Sequence, residues 1–347
     1  MQFGYYVLNT YVPELDGPAA AVYGRYLEQI DAAEAVGFDT VWVTEHHFAH
    51  FGGMTPNPQL LLAAVSQRTR RLRLGTSVSI LPLHHPLRIA EDFAVLDVLS
   101  GGRVEFGAGR GMVHSGYAGY GLDWPSAQER LKEALALIRR AWTEPAVTFT
   151  GRFYQCREVT LLPRPLQQPH PPIWVTATLD PASFRWIGEQ GYDLMLVPWL
   201  FPVAETLVPL YREARAAAGH PGPGRVLAMY PAHVAETAAE ARAVAEPAWL
   251  RWLALALPEL RAGRPDAPWE RLLSYDRLVT ERHVLFGGVE ECIANARWIA
   301  ATFGVTHLGL TFYFGGIAHS AALRAIELWG RAVAPALRAA LGTGARG

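Results

Sequence analysis

Eight short apolar segments alternate with stretches of helical spacing along the chain, and that rhythm constrains the fold more than any other feature. The segments are Phe3–Leu8, Thr40–Val43, Leu72–Val78, Val104–Gly107, Ile173–Ala177, Asp193–Val197, Val226–His233 and His307–Phe312. Near-continuous apolar runs of this length are what parallel strands covered on both faces require. Between them, Tyr23, Tyr26, Leu27, Ile30 and Ala33 share one helical face that stops at Gly37, and Leu131, Leu135, Ile138 and Trp142 share another. The run Pro86–Ser100 is a third helix, ended by Gly101-Gly102. Right-handed βα crossovers between eight parallel strands predict an α/β fold of the (β/α)₈ TIM-barrel type. A doubly wound open sheet is the alternative. No linker or shift of composition divides the chain, so a single domain is expected over 1–347.

Two stretches break the rhythm. Residues 144–172 carry six prolines, and the runs Val147–Phe149 and Arg152–Cys156 flank Thr150-Gly151, which predicts a hairpin insertion. Residues 258–282 hold Gly263, Pro265 and Pro268 but also Trp269, Leu272, Leu273 and Tyr275. A long insertion that keeps large apolar residues predicts a lid over an active site; an ordinary surface excursion is the alternative.

Half of the residues are hydrophobic and 18% are charged, which implies a large buried core. A net charge of −1 offers no broad attraction to nucleic acid or to an anionic membrane. The apolar stretch Ala248–Leu257 is interrupted by Arg251 and is too short to span a bilayer. Cys156 and Cys292 are too few for a disulfide framework, and the opening Met1-Gln2-Phe3-Gly4-Tyr5-Tyr6-Val7 reads as a strand without a signal peptide. A cytoplasmic protein is expected.

The chemistry collects at strand ends. Glu45, His46 and His47 follow the strand Thr40–Val43, where a barrel carries its catalytic side chains. The third strand ends in small residues around Ser77, Val78 and Ser79, leaving room for a planar ring. The fourth reads Phe106-Gly107-Ala108-Gly109-Arg110-Gly111, where glycines admit a ligand to the backbone and Arg110 offers a fork for phosphate. It does not sit in the first βα turn, so it is a poor dinucleotide fingerprint. Thr176, Thr178 and Ser183 bring hydroxyls to a helix start, which suits a phosphate; simple capping by Asp180 or Ser183 is the alternative, and in isolation the better one. Metal binding by Glu45, His46, His47, His84 and His85 is a rival use, but no known ligand spacing is present, and no metal is expected. Met112, Tyr117 and Trp199 are candidates for the substrate wall.

These motifs together resemble the bacterial luciferase-like flavin monooxygenases, with particular similarity to the luciferase α subunit. The similarity is carried by Gly37-Phe-Asp-Thr-Val-Trp through Glu45-His-His-Phe48, then Asn57-Pro58, Gly75-Thr76, Leu81-Pro82, His85-Pro86, Glu91-Asp92 and Leu96-Asp97. Ser100 with Gly102-Arg103, Phe106-Gly107, Arg110-Gly111 and Glu290-Glu291-Cys292-Ile293 extend it. The resemblance implies a barrel that binds reduced FMN, activates O₂ as a flavin hydroperoxide and oxygenates a small organic substrate. It makes His46 the catalytic residue, and its neutral imidazole can pass a proton near pH 7. It places Ser77, Val78, Gly109, Arg110, Thr178 and Ser183 at the cofactor, with a non-proline cis peptide at Ser77–Val78 and Arg110 at the FMN phosphate. It further implies a separate flavin reductase and a homodimer. Gly109 stands where the α subunit has a reactive cysteine, so light emission is not expected. Two other readings stay open: deazaflavin-dependent hydride transfer and a non-catalytic flavin-binding barrel. The Glu-His-His-Phe block favours FMN.

Overall fold

Gly4 and Gly75 stand on either side of Trp42, and a methyl group at either position would fall within 2.4 Å of its indole. The missing side chains leave one neighbouring strand on each side open to the ring, so Trp42 fills the barrel interior and meets Trp174 edge-on at 5.5 Å. This computed structural model describes residues 1–8, 10–200, 204–263, 265, 267 and 269–341.

The barrel strands are β1 (Gln2–Val7), β2 (Thr40–Val43), β3 (Arg73–Thr76), β4 (Val104–Gly109), β5 (Ile173–Thr176), β6 (Asp193–Leu196), β7 (Val226–Ala235) and β8 (His307–Thr311). Each pairs in parallel with the next, and β8 returns to β1 through Gln2 opposite His307, which closes the cylinder. The eight expected strands are thus the eight staves of a (β/α)₈ barrel, and the open-sheet alternative falls away. Strand interiors are buried throughout, as a sheet covered on both faces demands.

One end of the barrel is closed by charge. Glu105, at the start of β4, accepts from Arg73 Nε, from Trp174 Nε1 at 2.6 Å and from Arg225 at 3.4 Å, while Arg225 also pairs with Asp193 at 2.7 Å. Arg103, carried by the Gly102-Arg103 motif, donates to the Leu72 carbonyl at 2.7 Å and the Ser66 carbonyl at 2.8 Å, among others. These residues hold the amino ends of the strands and leave the carboxyl ends free for a site.

The antiparallel hairpin Val147–Thr150 with Gln155–Val159 lies between β4 and β5. One strand was not foreseen: Leu285–Gly288 pairs with the distal half of β7, from Ala232 to Ala235. A second difference concerns Pro258. It was expected to begin an irregular insertion, but the helix Ala238–Gly263 runs through both Pro247 and Pro258. Burial of Trp249, Trp252, Leu253, Ala256 and Leu260 on that helix outweighs the loss of backbone hydrogen bonds. Beyond it, the short helical turns Trp269–Leu273 and Tyr275–Thr280 fold back, with Trp269, Leu272 and Tyr275 buried. Pro268 lies outside the described residues. Among the described residues no helix is long and apolar enough to cross a membrane.

Candidate active site

The carboxyl ends of the strands surround a cavity of about 740 Å³, within the usual range for small-molecule sites. Six residues expected at the site, His46, Ser77, Val78, Arg110, Thr178 and Ser183, all line it. They come from the ends of four different strands, β2 to β5, which meet because those strands lie side by side in the sheet. Met112 and Trp199 also line it, as expected. The peptide bond between Ser77 and Val78 is cis.

His46 rests on Gly52. That glycine has φ +70°, and a Cβ there would lie 2.4 Å from the His46 ring. A side chain at this position would displace the imidazole, and the left-handed backbone disfavours one as well. Phe51 flanks the same ring at 4.9 Å. Burial lowers the His46 pKa to about 4, aided by neighbouring His47 and opposed by Glu45. The ring is therefore neutral at pH 7, and its buried Nδ1 has no partner among the described residues. Sequence reasoning placed its titration near neutrality; desolvation moves it well below.

Glu45 and His47 act differently from His46. Glu45 accepts from His47 Nε2 at 2.8 Å, from His84 Nε2 at 2.6 Å and from the Ile80 N–H at 3.0 Å. Burial alone would raise its pKa, but these hydrogen bonds and the His84 charge bring it down to about 2. Burial would lower the His84 pKa, yet the Glu45 hydrogen bond and charge raise it. The result is a carboxylate flanked by imidazole N–H donors that ties the loop after β2 to the turn after β3. Glu45, His47 and His84 also bring three possible ligand atoms within 4.8 Å of one another, a convergence that sequence spacing did not reveal. Both Nε2 atoms are already engaged by Glu45 Oε1, so the geometry is that of a proton-linked cluster.

His85 stands apart. Its Nδ1 accepts from Leu87 N at 3.3 Å and caps the helix Pro86–Ser100. Tyr117, expected in the substrate wall, instead donates to the Arg110 carbonyl at 2.6 Å and packs behind Ile80. Gly109 does not line the cavity. It sits behind Val78 and Thr176, whose methyl carbons would lie 2.6 and 2.7 Å from a Cβ added there.

Arg110 stacks on Trp124 at 5.3 Å and makes no ion pair among the described residues, so its guanidinium is available to an anion. The turn opposite is less open than its sequence suggested. Asp180 caps the helix Pro181–Glu189, accepting from Ala182 N at 3.1 Å, Ser183 N at 3.0 Å and Ser183 Oγ at 2.7 Å. Its own carboxylate thus takes donors that a phosphate would use. Thr178 remains for that purpose.

Several lining residues escaped the sequence reading: Tyr6, Trp124, Gln128, Met229 and Arg271, whereas Trp269 was expected on the lid. Tyr6 and Met229 belong to strands already recognised, where alternation could have marked them as inward-facing. Ser77 Oγ donates to Met229 Sδ at 2.6 Å and so fixes that wall. Arg271 and Trp269 come from a connection whose path no periodicity specifies.

The family model for luciferase-like monooxygenases matches residues 1–304. The crystal structure of the monooxygenase RslO1 from Streptomyces bottropensis superposes with a TM-score of 0.89 at 30% identity, over 96% of this chain and 99% of that one. The oxygenase component of the flavin-dependent trigonelline monooxygenase of Acinetobacter baylyi is 35% identical over 179 residues, 51% of this chain and 49% of that protein. The F420-dependent glucose-6-phosphate dehydrogenase of Microbacterium testaceum is 33% identical over 288 residues, 73% of this chain and 84% of that one. The chain has the barrel, the strand-end site and the sequence of an oxidoreductase, and it belongs to the luciferase-like monooxygenase family.

Proposed function

We propose that the protein is the oxygenase of a two-component system that takes reduced FMN from a separate reductase and uses O₂ to oxygenate a small organic substrate. The observation that carries this reading is a neutral, partly orphaned imidazole, His46, facing the same cavity as a cation, Arg110, that makes no ion pair among the described residues. The residues present fit a flavin mononucleotide. Arg110 and Thr178 would hold the phosphate, and Ser77, Val78 and Met229 would form the wall against the ring. When bound, reduced FMN supplies electrons to O₂. His46 would relay a proton at the junction with substrate, taking one at one ring nitrogen as it gives one up at the other, so that its weakly basic ring stays uncharged. Trp199, Trp269 and Leu260 would exclude water. Gly263, Pro265, Ala267, Trp269 and Arg271, all from the insertion 258–282, line the same wall, and that insertion would act as the lid.

A homodimer goes with this reading. Leu60 on the helix Pro58–Arg68 and Leu99 on the helix Pro86–Ser100 are 70% and 52% exposed on adjacent helices, and such apolar faces favour a partner. Free Cys156 and Cys292 accord with a cytoplasmic setting.

The F420-dependent relative supports a second reading, hydride transfer without oxygen. Titration with FMN and with F420, followed by oxygen uptake with each reduced cofactor, separates the two. FMN retention with oxygen consumption supports the monooxygenase. Tight binding of F420 alone, with no oxygen consumed, overturns it.

A further inference from the structure

Arg271 is a second cation in the cavity, and it makes no ion pair among the described residues. It stands on the turn Trp269–Leu273 and reaches the cavity wall. One guanidinium nitrogen, Nη2, donates to the Leu200 carbonyl. Its Nε is buried and has no partner among the described residues. Glu281, the acid whose charge raises its pKa, is already bonded to Arg277 and to His283 at 2.9 Å. Burial lowers the Arg271 pKa, the mark of a charge drawn out of water. Around it the wall is apolar: Trp199, Leu200, Leu260, Ala267 and Trp269.

A guanidinium in such a place is costly unless an anion meets it. Two other partly buried arginines are answered by carboxylates, Arg73 and Arg225 by Glu105 and Arg225 also by Asp193, and Arg103 is held by several backbone carbonyls. Arg271 differs: it lines a cavity, and among the described residues the Leu200 carbonyl is its one hydrogen-bond partner. The flavin phosphate does not account for it, because Arg110 and Thr178 follow β4 and β5, whereas Arg271 meets the chain after β6 at Leu200. An arginine fork matches the planar, bidentate geometry of a carboxylate. Indole and leucine walls match an apolar or aromatic body.

We propose that Arg271 is the substrate-recognition residue of this cavity and that the substrate class is an apolar, aromatic-sized carboxylate, held at its carboxylate end by the Arg271 fork. The proposal rests on the cavity being the oxygenase site; it adds which molecules that site selects.

The test uses an isosteric pair, 2-naphthoate and 2-naphthamide, titrated calorimetrically into the full-length protein with and without added FMN. The wild-type protein should bind the naphthoate roughly ten- to a hundredfold more tightly, the range for a hydrogen bond to a charged partner. Arg271→Gln should bring the two ligands to near-equal affinity and leave FMN affinity unchanged. Equal binding of the pair by the wild type overturns the proposal, as does failure of the naphthoate to bind at all. A preference that survives in Arg271→Gln also overturns it. Loss of FMN affinity in that variant, with the naphthoate preference intact, would assign Arg271 to the cofactor instead. If Arg271→Gln does not fold, Arg271→Lys keeps the charge but loses the fork, and the preference should drop severalfold; an unchanged ratio rejects the proposal. Failure of FMN binding in every protein would sink the flavin reading while leaving the naphthoate preference readable without cofactor.

Discussion

His84 Nε2 meets Glu45 Oε1 at 2.6 Å, although the two residues follow different barrel strands and lie 39 positions apart in the chain. This contact and the Ile80 N–H fix the loop that carries His46 to the loop that carries Ser77. Glu45→Gln removes the charge and leaves His84 without its partner. Breaking a buried pair costs about 3–5 kcal/mol, and His84 is 27% exposed, so about 1–3 kcal/mol is expected after solvent screening. The sign with pH is set by His84, whose pKa is raised in the fold. Its contribution is present below the unfolded value near 6.5 and is lost as pH rises through the folded value. The stability gap between wild type and variant in urea should therefore narrow on the alkaline side; a gap that widens there contradicts the pair.

Acid should destabilise the protein through its neutral histidines. Burial lowers the pKa of His46 and His233 to about 4 each and that of His307 to about 3. Unfolded, each titrates near 6.5, so below that pH the unfolded state binds more protons. Stability should fall as pH drops from about 6.5 toward 4, by up to ~1.4 kcal/mol per pH unit for each group. His84 opposes this only near and above pH 6.5, where the folded protein holds its proton more tightly, and Glu45 adds a loss only below about 4.5, toward its folded value near 2. Urea midpoints at pH 7.5, 6.5 and 5.5 measure the slope. A flat profile means these rings are hydrated in solution.

His46→Ala tests the chemistry itself. The variant should fold and keep most FMN affinity, since His46 makes no hydrogen bond through Nδ1 that the fold would miss. Substrate oxygenation should fall about 10²–10⁴-fold, the usual contribution of a positioned acid–base group, with peroxide released in place of product. His47 and His85 are poor substitutes, one bonded to Glu45 and the other capping a helix. Near-normal coupling of oxygen to product in the variant rules out the role.

The strands were legible because parallel strands buried on both faces need short apolar runs, and these recur in alternation with helical spacing. The strand Leu285–Gly288 was not, because Leu-Phe-Gly-Gly reads as a turn until β7 supplies its edge. Pro258 misled for a related reason: its local cost is outweighed by tertiary burial of the helix around it. At the site, His46, Arg110 and Thr178 were readable as polar residues directly after strands. The Glu45–His84 pair and Arg271 were not, since each depends on where a connection runs in space. The neutral state of His46 depends on burial, which residue identity does not contain.

The fourth strand predicts a graded response to side chains. At Gly107 an added Cβ would lie 1.8 Å from the Thr76 carbonyl oxygen, which is backbone and cannot turn aside. At Gly109 the obstacles are methyl carbons of Val78 and Thr176, which can rotate. Gly109→Ala should cost about 1–3 kcal/mol, the usual penalty of overpacking, and Gly107→Ala more, with loss of the barrel's soluble expression a reasonable extreme. Thermal midpoints of the two variants give the order. A Gly107→Ala protein as stable as Gly109→Ala contradicts the close approach of β3 and β4.

Asp180 and Arg110 should pull FMN affinity in opposite directions. Arg110 has no carboxylate partner among the described residues and faces the cavity, so Arg110→Ala removes a charged donor from the phosphate and should weaken binding by ~1.5–3 kcal/mol. Asp180 lines the same cavity and holds the Ser183 N–H and hydroxyl for itself. A phosphate at Thr178 would meet its negative charge. Asp180→Asn keeps an oxygen acceptor for the helix start, where asparagine caps about as well as aspartate, and removes the repulsion. The variant should bind FMN severalfold more tightly, with most of the gain at low ionic strength, where charges are least screened. Fluorescence titrations of both variants at low and high salt provide the measurement. Weaker binding by Asp180→Asn would mean that the carboxylate supports the phosphate turn, and unchanged binding by Arg110→Ala would move the phosphate away from β4.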